Sequence, residues 1–230
     1  MGRAGADAGA SLGRVAVGGT SGIGSGELSR SLRLFADRLK ERRAELTDLD
    51  AKIGDADHGI NMDRGFSAVA AKLPELEAGP PGAMAKAVGM TLISTVGGAS
   101  GPLYGTFFLR FAGALGDADE FSPAELGAAL RAGLEGVRQR GRAELDDKTM
   151  VDAMLPAVDA FDTALSDGDL ASALSAAAAA AAEGRDRVTP LVARKGRASY
   201  LGERSANHQD PGATSTTILF ESLRDGLAAQ

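Results

Sequence analysis

An all-α protein of eight helices is predicted by this 230-residue sequence. Apolar residues recur at three- and four-residue spacing along most of the chain, while the β-branched alternation that is typical of strands is nearly absent. Glycine and proline separate the periodic segments at short intervals, which predicts short loops. Because short loops join antiparallel neighbours, we expect an antiparallel helical bundle.

The first four helices are predicted from apolar spacing and from the breakers that follow it. Leu28, Leu32, Phe35 and Leu39 lie on one helical face. The second helix is expected to end before Pro74, and the third at the Gly97-Gly98 pair. The predicted ranges are 26–46, 58–73, 82–96 and 100–116, with a loop over 47–57.

Two of the last four predicted helices begin at recognisable caps. Ser122-Pro-Ala-Glu125 is a capping box with proline at the first helical position, and it begins the fifth helix. The sixth helix is predicted over 149–165 and the seventh over 169–187. The seventh contains an alanine tract, which we interpret as a packed helix rather than a disordered spacer because alanine is the best helix former. Asp210-Pro211 begins the eighth helix, which continues to Leu227.

Composition excludes several classes of function. The chain has no cysteine and no tryptophan, and its histidines are His58 and His208, so disulfides, thiolate chemistry, cysteine-based zinc sites and three-histidine metal sites are excluded. A net charge of −6 argues against nucleic acid or an anionic membrane as a partner. No apolar run approaches the length of a membrane span, and no secretion signal is apparent, so we expect a cytoplasmic protein.

Residues 1–25 are predicted to form a flexible extension, and 26–230 a single all-α domain. The extension is rich in glycine, alanine and serine and has little apolar patterning. Its run VAVGGTSGIGSG resembles the glycine-rich turn of short-chain dehydrogenases. No second strand ending in an acidic residue follows, and neither Tyr104 nor Tyr200 begins a Tyr-x-x-x-Lys pair, so we do not predict a nicotinamide site.

Three aspartates stand close together between the first two predicted helices. Asp50, Asp55 and Asp57 are separated by five and two residues, and glycines flank them. Carboxylates that converge repel one another unless a cation joins them, and oxygen ligands select Mg²⁺, Mn²⁺ or Ca²⁺. The spacing does not fit an EF-hand. The alternative is a polar loop in which Asp57 only caps the following helix. His58 begins that helix and is expected to contact phosphate or donate a proton.

Two glycine-containing segments could also approach a ligand. The turn from Gly97 to Gly105 contains Ser100 and precedes a helix whose free amides can hold phosphate, although an ordinary turn with a serine cap would look the same. It is not a Walker loop, because no Gly-Lys-Ser/Thr follows. The segment 196–213 is long and polar, and long loops in compact domains are often functional.

Four separated runs carry a family resemblance. They are, in order, GDADHGINMDRGF, GGASGPLYGTFF, DDKTMVDAMLPA and GRASYLGERSANHQDPGATS. Together they resemble the nucleotide-binding L subunits of bacterial dihydroxyacetone kinases over roughly residues 30–227. The resemblance implies an eight-helix antiparallel up-and-down barrel, with the nucleotide bound by the loops at one end.

The resemblance also assigns site residues. Asp50, Asp55 and Asp57 would hold two Mg²⁺ ions against the phosphates of ADP or ATP, and together with His58 they would form the catalytic group. The residues that would bind the nucleotide are His58, Gly59, Ile60, Asn61, Met62, Ala99, Ser100, Gly101, Gly141, Thr149, Met150, Arg197, Asp210, Pro211 and Gly212.

The implied function is that of a kinase subunit. It would transfer a phosphoryl group from the Mg²⁺-bound nucleotide to dihydroxyacetone, which a separate K subunit binds covalently through a histidine. A chain without a fused K domain favours the phosphotransferase-system form, in which an M subunit recharges ADP to ATP in place. The alternatives are a subunit of an ATP-dependent kinase for a related small ketose or polyol, and a nucleotide-loaded regulator of a transcription factor. The oligomeric state stays open, with a homodimer among the options, and no role is assigned to His208.

Overall fold

The computed structural model describes residues 22–228, and these form nine α-helices, one 3₁₀ helix and one two-stranded ribbon. Within this part of the chain, no helix has the length and apolar character that crossing a membrane requires. The elements are β1 (Ile23–Gly24), α1 (Ser25–Glu41), α2 (Arg43–Ile53), α3 (His58–Leu76), α4 (Pro81–Thr95), α5 (Ser100–Leu115), β2 (Glu120–Phe121), α6 (Pro123–Gly141), α7 (Val151–Asp167), α8 (Leu170–Arg187), the 3₁₀ helix (Arg197–Ser205) and α9 (Pro211–Ala228).

The helices form a closed ring. From α3 to α9 each α-helix packs against the one that follows it, α3 also packs against α1 and α2, and α9 returns to α1. The predicted helical barrel is therefore confirmed. Its interior holds an aromatic cluster in which the Phe35 and Phe66 rings lie 4.5 Å apart, with Tyr104 and Phe108 against Phe66. Burial of these large apolar side chains is the main stabilising contribution to such a ring.

The first predicted helix is in fact two helices. The chain breaks at Arg42 and continues as α2 to Ile53, so the predicted loop over 47–57 is wrong for its first seven residues. Leu46, Asp50 and Ile53 lie four and three residues apart and are buried, which is the spacing of one helical face. The acidic residues of this segment masked that face in the sequence. Asp50 consequently lies in the last turn of a helix and not in a flexible loop.

Pro74 does not end the second predicted helix. α3 continues through it to Leu76, because a proline in the last turn removes only one backbone hydrogen bond. Leu73 is buried in the core and Leu76 packs against it, so the last turn still contributes apolar contacts.

The predicted N-terminal extension lies outside the described residues over 1–21. Its last residues are ordered: Ile23 pairs with Phe121 in an antiparallel ribbon, and α1 begins at Ser25. Ile23 is buried in the core, which explains why this short segment is held. A strand of two residues is too short to show alternation, so periodicity alone could not predict it.

The predicted caps are present. Ser122 accepts the backbone N–H of Glu125, and the Glu125 carboxylate accepts the N–H of Ser122, which completes the capping box of α6. Asp169 also accepts the N–H of Ser172 at the start of α8, a cap that was not predicted. The alanine tract lies within α8, where Ala177 is among the small residues packed in the core.

Candidate functional site

A cavity of about 480 Å³ lies at one end of the ring. Its wall comes from four connections that are distant in sequence: α2 to α3, α4 to α5, α6 to α7, and α8 to α9. Volumes of this order suit a small-molecule ligand of nucleotide size. Successive connections in an antiparallel ring alternate between its ends, which explains why every second connection contributes to this wall.

The three predicted aspartates converge at the cavity. Each offers a carboxylate oxygen that lies within 4.8 Å of those of the other two. The Asp50 carboxylate is buried, and its Oδ2 accepts the backbone N–H groups of Asp57 at 2.8 Å and His58 at 3.1 Å. Asp50 thus holds the start of α3 from the end of α2. A side chain at Gly54 would collide with this carboxylate, so the turn requires glycine.

The alternative role for Asp57, as a plain helix cap, is not what the structure shows. Asp57 occupies the N-cap position of α3, but its side chain makes no cap hydrogen bond. Asp50 satisfies the amides instead, and the Asp57 carboxylate faces Gly98 across the cavity. Gly98 has a φ of +65°, a left-handed conformation that favours glycine. The Asp57 carboxylate is therefore left available to a ligand.

The donor set fits a hard divalent cation. Three carboxylates and no nitrogen or sulfur ligand are the chemistry that Mg²⁺ prefers. In the structure Asp55 pairs with the exposed guanidinium of Arg197, whose Nη2 lies 3.0 Å from Asp55 Oδ2. The pair brings positive charge to the cluster from the 3₁₀ helix. Both side chains are substantially exposed, so water screens the attraction between them. A cation can therefore replace the guanidinium beside Asp55.

His58 is buried beside the aspartates and is held at both ring nitrogens. Nδ1 lies 3.1 Å from Ser100 Oγ, and Nε2 lies 3.0 Å from Ser215 Oγ. Burial lowers the pKa of His58 to about 4, although the negative charge of Asp57 opposes this shift. The ring is therefore neutral near pH 7. It joins the start of α5 to α9, and Ser100 contacts it rather than capping its own helix.

The hydroxyl network continues from Ser215 into the barrel. Tyr104 Oη lies 2.8 Å from Ser215 Oγ and 3.1 Å from Thr216 Oγ1. Burial raises the pKa of Tyr104 to about 12, so its hydroxyl keeps its proton at neutral pH. Ser215 in turn donates to the carbonyl of Gly212 in the first turn of α9. The wall of the cavity is thus tied to the core by hydrogen bonds between neutral groups.

The start of α9 carries a buried carboxyl at the cavity. Asp210 Oδ2 accepts the backbone N–H of Ala213 at 2.7 Å, as the predicted N-cap requires. Burial raises the pKa of Asp210 to about 7, and the nearby charges of Asp152 and Asp50 add to the rise. The Ala213 amide and the ammonium of Lys148 act in the opposite direction. Pro211 and Gly212 follow it in the wall.

The α6–α7 connection is organised by another buried aspartate. Asp152 accepts the backbone N–H groups of Asp146 at 2.6 Å and Thr149 at 2.8 Å. Burial raises the pKa of Asp152, and these two amides oppose the rise. The turn places Thr149 and Met150 in the wall, which also includes Gly141 at the end of α6. All three were predicted as nucleotide-binding residues.

Most predicted site residues line the cavity, but one group does not. The wall includes Asp50, Asp55, Asp57, His58, Ala99, Ser100, Gly141, Thr149, Met150, Arg197, Asp210, Pro211 and Gly212. Met62 is buried in the hydrophobic core and Ile60 is exposed outside the cavity. Gly59 packs against the backbone of α2, and Gly101 packs against the carbonyl of Val96.

Asn61 is buried behind the cavity wall. Its Oδ1 accepts a hydrogen bond from Arg64 Nη2 at 2.7 Å, and Arg64 Nε donates to the carbonyl of Thr95 at 2.9 Å. Arg64 thereby joins α3 to the end of α4, just before the glycine turn. Asn61 lies beside that turn, close to Gly97.

Several wall residues were not singled out in the sequence. Apolar side chains from three connections contribute to the wall of the cavity, and so does Lys148. These apolar residues include Ile53, Leu103, Val137 and Ala143. Helical periodicity assigns such residues to the core, so only the closed ring reveals them as a wall. Lys148 stands inside the run DDKTMVDAMLPA, and that signal could have been used.

Comparisons of the sequence with a family model and with individual proteins agree with one another. The family model of the DAK2 domain matches residues 52–225. The chain is 49% identical over 186 residues to the ADP-binding subunit DhaL of PEP-dependent dihydroxyacetone kinase from Escherichia coli (strain K12), covering 80% of this chain and 88% of that protein. It is 40% identical over 195 residues to the ADP-binding subunit DhaL of PTS-dependent dihydroxyacetone kinase from Lactococcus lactis subsp. lactis (strain IL1403), covering 84% and 93%.

The fold is also that of a solved structure. The dihydroxyacetone kinase from C. freundii in complex with AMP-PNP and Mg²⁺ superimposes with a TM-score of 0.68 at 24% identity. The match covers 97% of this chain and 38% of that one, so the ring corresponds to one part of a longer protein. At this identity the likeness establishes the fold alone.

Proposed function

Because the chain belongs to the DAK2 domain family, we propose that it is the ADP-binding subunit of a dihydroxyacetone kinase. It would transfer a phosphoryl group from a Mg²⁺-bound nucleotide to dihydroxyacetone held on a partner K subunit. One observation carries the proposal. Three convergent carboxylates lie near a glycine turn and the start of a helix, in the wall of a cavity of nucleotide size.

The cavity offers distinct surroundings for the parts of a nucleotide. Asp50, Asp55 and Asp57 would hold two Mg²⁺ ions, which supply charge neutralisation for the phosphates. The free amides at the start of α5 and the Ser100 hydroxyl would receive phosphate oxygens. The apolar residues of the wall, which include Leu103 and Val137, suit a planar base.

Phosphoryl transfer depends mainly on positioning, and the residues here are suited to that task. Asp50 is fixed by two backbone amides, so its carboxylate has a set orientation. His58 is neutral and is held by Ser100 and Ser215, so we assign it the role of orienting the α5 start rather than that of a proton donor. Arg197 is exposed beside Asp55, from where its guanidinium can turn to a phosphate oxygen.

The proposal includes two protein partners. A K subunit would present the sugar, and a phosphotransferase-system M subunit would recharge ADP to ATP on this chain. The PEP-dependent and PTS-dependent relatives support this assignment. The family resemblance adds the covalent attachment of the sugar on the K subunit.

Calorimetry of the purified protein with ADP and Mg²⁺ tests nucleotide binding. We expect one ADP per chain, and we expect Asp55→Ala to abolish Mg²⁺-dependent binding while its helical circular dichroism stays at the wild-type level. Asp167→Ala is the matched control, since this exposed aspartate ends α7 about 25 Å from the α7 start at the cavity. Absence of ADP binding by the wild-type chain would refute the proposal.

A reconstituted assay tests the reaction. The chain is mixed with matched K and M subunits, ADP and a phosphoenolpyruvate-driven phosphate supply, and dihydroxyacetone phosphate is measured. Free ATP replaces the M subunit in a second arm, and a tetrulose replaces dihydroxyacetone in a third. Turnover of dihydroxyacetone with the M subunit supports the proposal. Turnover only with free ATP, or only with the tetrulose, would favour the alternative kinase instead.

A further inference from the structure

Lys148 is a fully buried lysine in the cavity wall. It is 1% exposed, and its Nζ donates to three backbone carbonyls: Thr189 and Leu191 at 2.8 Å each, and Ser205 at 2.6 Å. These three bonds use all the donors that a lysine ammonium has. The phosphoryl transfer proposed for the cavity does not use this ammonium.

The three carbonyls come from the two ends of one segment. Thr189 and Leu191 follow α8, and Ser205 ends the 3₁₀ helix, so one ammonium joins the entry and the exit of residues 192–204. Two further bonds reinforce the closure: Ser205 Oγ accepts the N–H of Ala193 at 2.8 Å, and Arg194 N–H donates to the carbonyl of Asp147 at 3.0 Å. The base of the segment is therefore assembled around the Lys148 turn.

The segment closed in this way carries part of the cavity wall. Lys195, Gly196, Arg197 and Ala198 line the cavity, and Arg197 reaches Asp55. The segment contributes little to the main core. Its buried residues Ala193 and Ala198 form a small separate cluster with Ile53. Few apolar contacts hold such a segment, so its position depends strongly on its hydrogen bonds.

A charged group is an expensive way to fill this space. Burial disfavours an ammonium, and accordingly burial lowers the pKa of Lys148, although the charge of Asp210 opposes the shift. An apolar side chain of similar volume would pack at lower cost, but it would leave three buried carbonyls unpaired. The hydrogen bonds that close the segment therefore account for a buried ammonium at this position.

We propose that Lys148 is a positioning residue, whose ammonium closes residues 192–204 and holds Arg197 over the nucleotide. The part of this inference that concerns ADP rests on the proposed function. The closure of the segment by Lys148 does not. Lys148 acts through the segment and is not assigned to the transfer step.

Tryptic digestion and calorimetry of the full chain test the inference. The segment contains four trypsin sites: Arg194, Lys195, Arg197 and Arg204. We expect Lys148→Met to be cleaved there at least about tenfold faster than wild type, because several hydrogen bonds to a charged group are lost. We also expect its dissociation constant for ADP with Mg²⁺ to rise at least about tenfold, at a temperature where circular dichroism shows the helices intact.

Lys72→Met is the matched control. Lys72 Nζ donates to Thr91 Oγ1 and so also joins two elements, but it lies 14 residues along α3 from His58, about 21 Å away. We expect wild-type digestion over 194–204 and wild-type ADP binding. Equally accelerated cleavage in Lys72→Met would overturn the inference, because removal of a lysine would then speed digestion wherever that lysine lies.

A rescue experiment guards against a variant that simply folds poorly. The chain contains no cysteine, so Lys148→Cys can be alkylated uniquely in the unfolded state with 2-bromoethylamine. The sulfur displaces bromide and forms one C–S bond, which gives a side chain that closely matches lysine. After refolding, slow digestion over 194–204 and tight ADP binding should return together.

Two further results would overturn the inference. One is wild-type digestion and wild-type ADP affinity in folded Lys148→Met. The other is alkylated protein that recovers slow digestion but not ADP affinity, which would make the closure irrelevant to the site. Failure of the proposed function is distinguishable, because the wild-type chain would then bind no ADP while the digestion arm still reports on the closure.

Discussion

Two of the three clustered aspartates should differ in their effect on the fold: Asp50 stabilises it and Asp57 does not. Asp50 accepts two backbone N–H groups at the start of α3, whereas Asp57 makes no cap hydrogen bond. We expect Asp50→Ala to lower both stability and Mg²⁺-dependent ADP binding. Asp57→Ala should abolish that binding while leaving the helical fold intact.

The structure sets the size of the difference. A hydrogen bond to a charged group contributes about 1.5–3 kcal/mol, and a helix cap about 0.5–2 kcal/mol. Because water can reach part of this turn in the variant, we expect Asp50→Ala to cost about 2–4 kcal/mol. For a chain of this length that is a fall in Tm of roughly 4–16 °C. Asp57→Ala should change stability by less than about 1 kcal/mol, or raise it, because it removes a like charge from the cluster.

Thermal melts followed by circular dichroism, in buffer with chelator and no nucleotide, measure the stability term. Calorimetry with ADP and Mg²⁺ measures the binding term on the same samples. The reasoning is refuted if Asp50→Ala has the same Tm as wild type. It is equally refuted if Asp57→Ala is destabilised as much as Asp50→Ala, since the loop would then depend on both side chains for its structure.

Three further predictions use single groups. Ser122→Ala removes the α6 capping box and should lower Tm by roughly 2–4 °C, for a loss of about 1 kcal/mol, with unchanged ADP affinity by calorimetry. Tyr104→Phe removes a buried hydroxyl and should cost about 1–2 kcal/mol in urea unfolding; a neutral result would mean that the network does not stabilise the fold. Asp210→Asn keeps an acceptor for Ala213 but removes a carboxyl whose pKa is raised to about 7. Because the pKa of this carboxyl is higher in the folded than in the unfolded protein, wild type loses stability as the pH rises from about 4 toward 7. The free energy of unfolding of the variant should therefore exceed that of wild type at pH 8 by at most about 4 kcal/mol, and this advantage should be lost near pH 4. A gap that is constant with pH in melts of the two proteins would contradict this last prediction.

Local rules of the sequence predict the fold where the interaction is local. The capping box at Ser122 and the cap at Asp210 involve residues three apart, and both are present as predicted. The helix break at Arg42 and the continuation through Pro74 depend on burial by other helices, so local rules placed both boundaries wrongly. The pairing of Ile23 with Phe121 joins residues far apart in sequence and has no local signal.

The candidate site was predictable to the extent that its residue types are chemically distinctive. Three aspartates within eight residues stand out in any sequence, and the structure brings them together. Lys148 and Leu103 do not stand out, because a lysine is ordinarily a surface residue and a leucine is ordinarily a core residue. Both residues stand inside runs that carry the family resemblance, DDKTMVDAMLPA and GGASGPLYGTFF, but their residue types alone do not place them in the wall. Closure of the ring does.

The position of the site has a consequence for how binding and folding are related. The four connections that form the wall are brought together when α9 packs against α1 and α8, so the complete cavity exists only in the closed ring. A ligand that contacts all four connections therefore binds the closed ring and not a partly open one. Such selective binding stabilises the closed state by mass action. The Lys148 closure acts on the connection just before α9, which is the one formed last along the chain. For an acidic chain whose proposed ligand is a polyanion, this arrangement concentrates the needed contacts in a fully folded site, while the remaining surface keeps the negative charge that discourages non-specific anion binding.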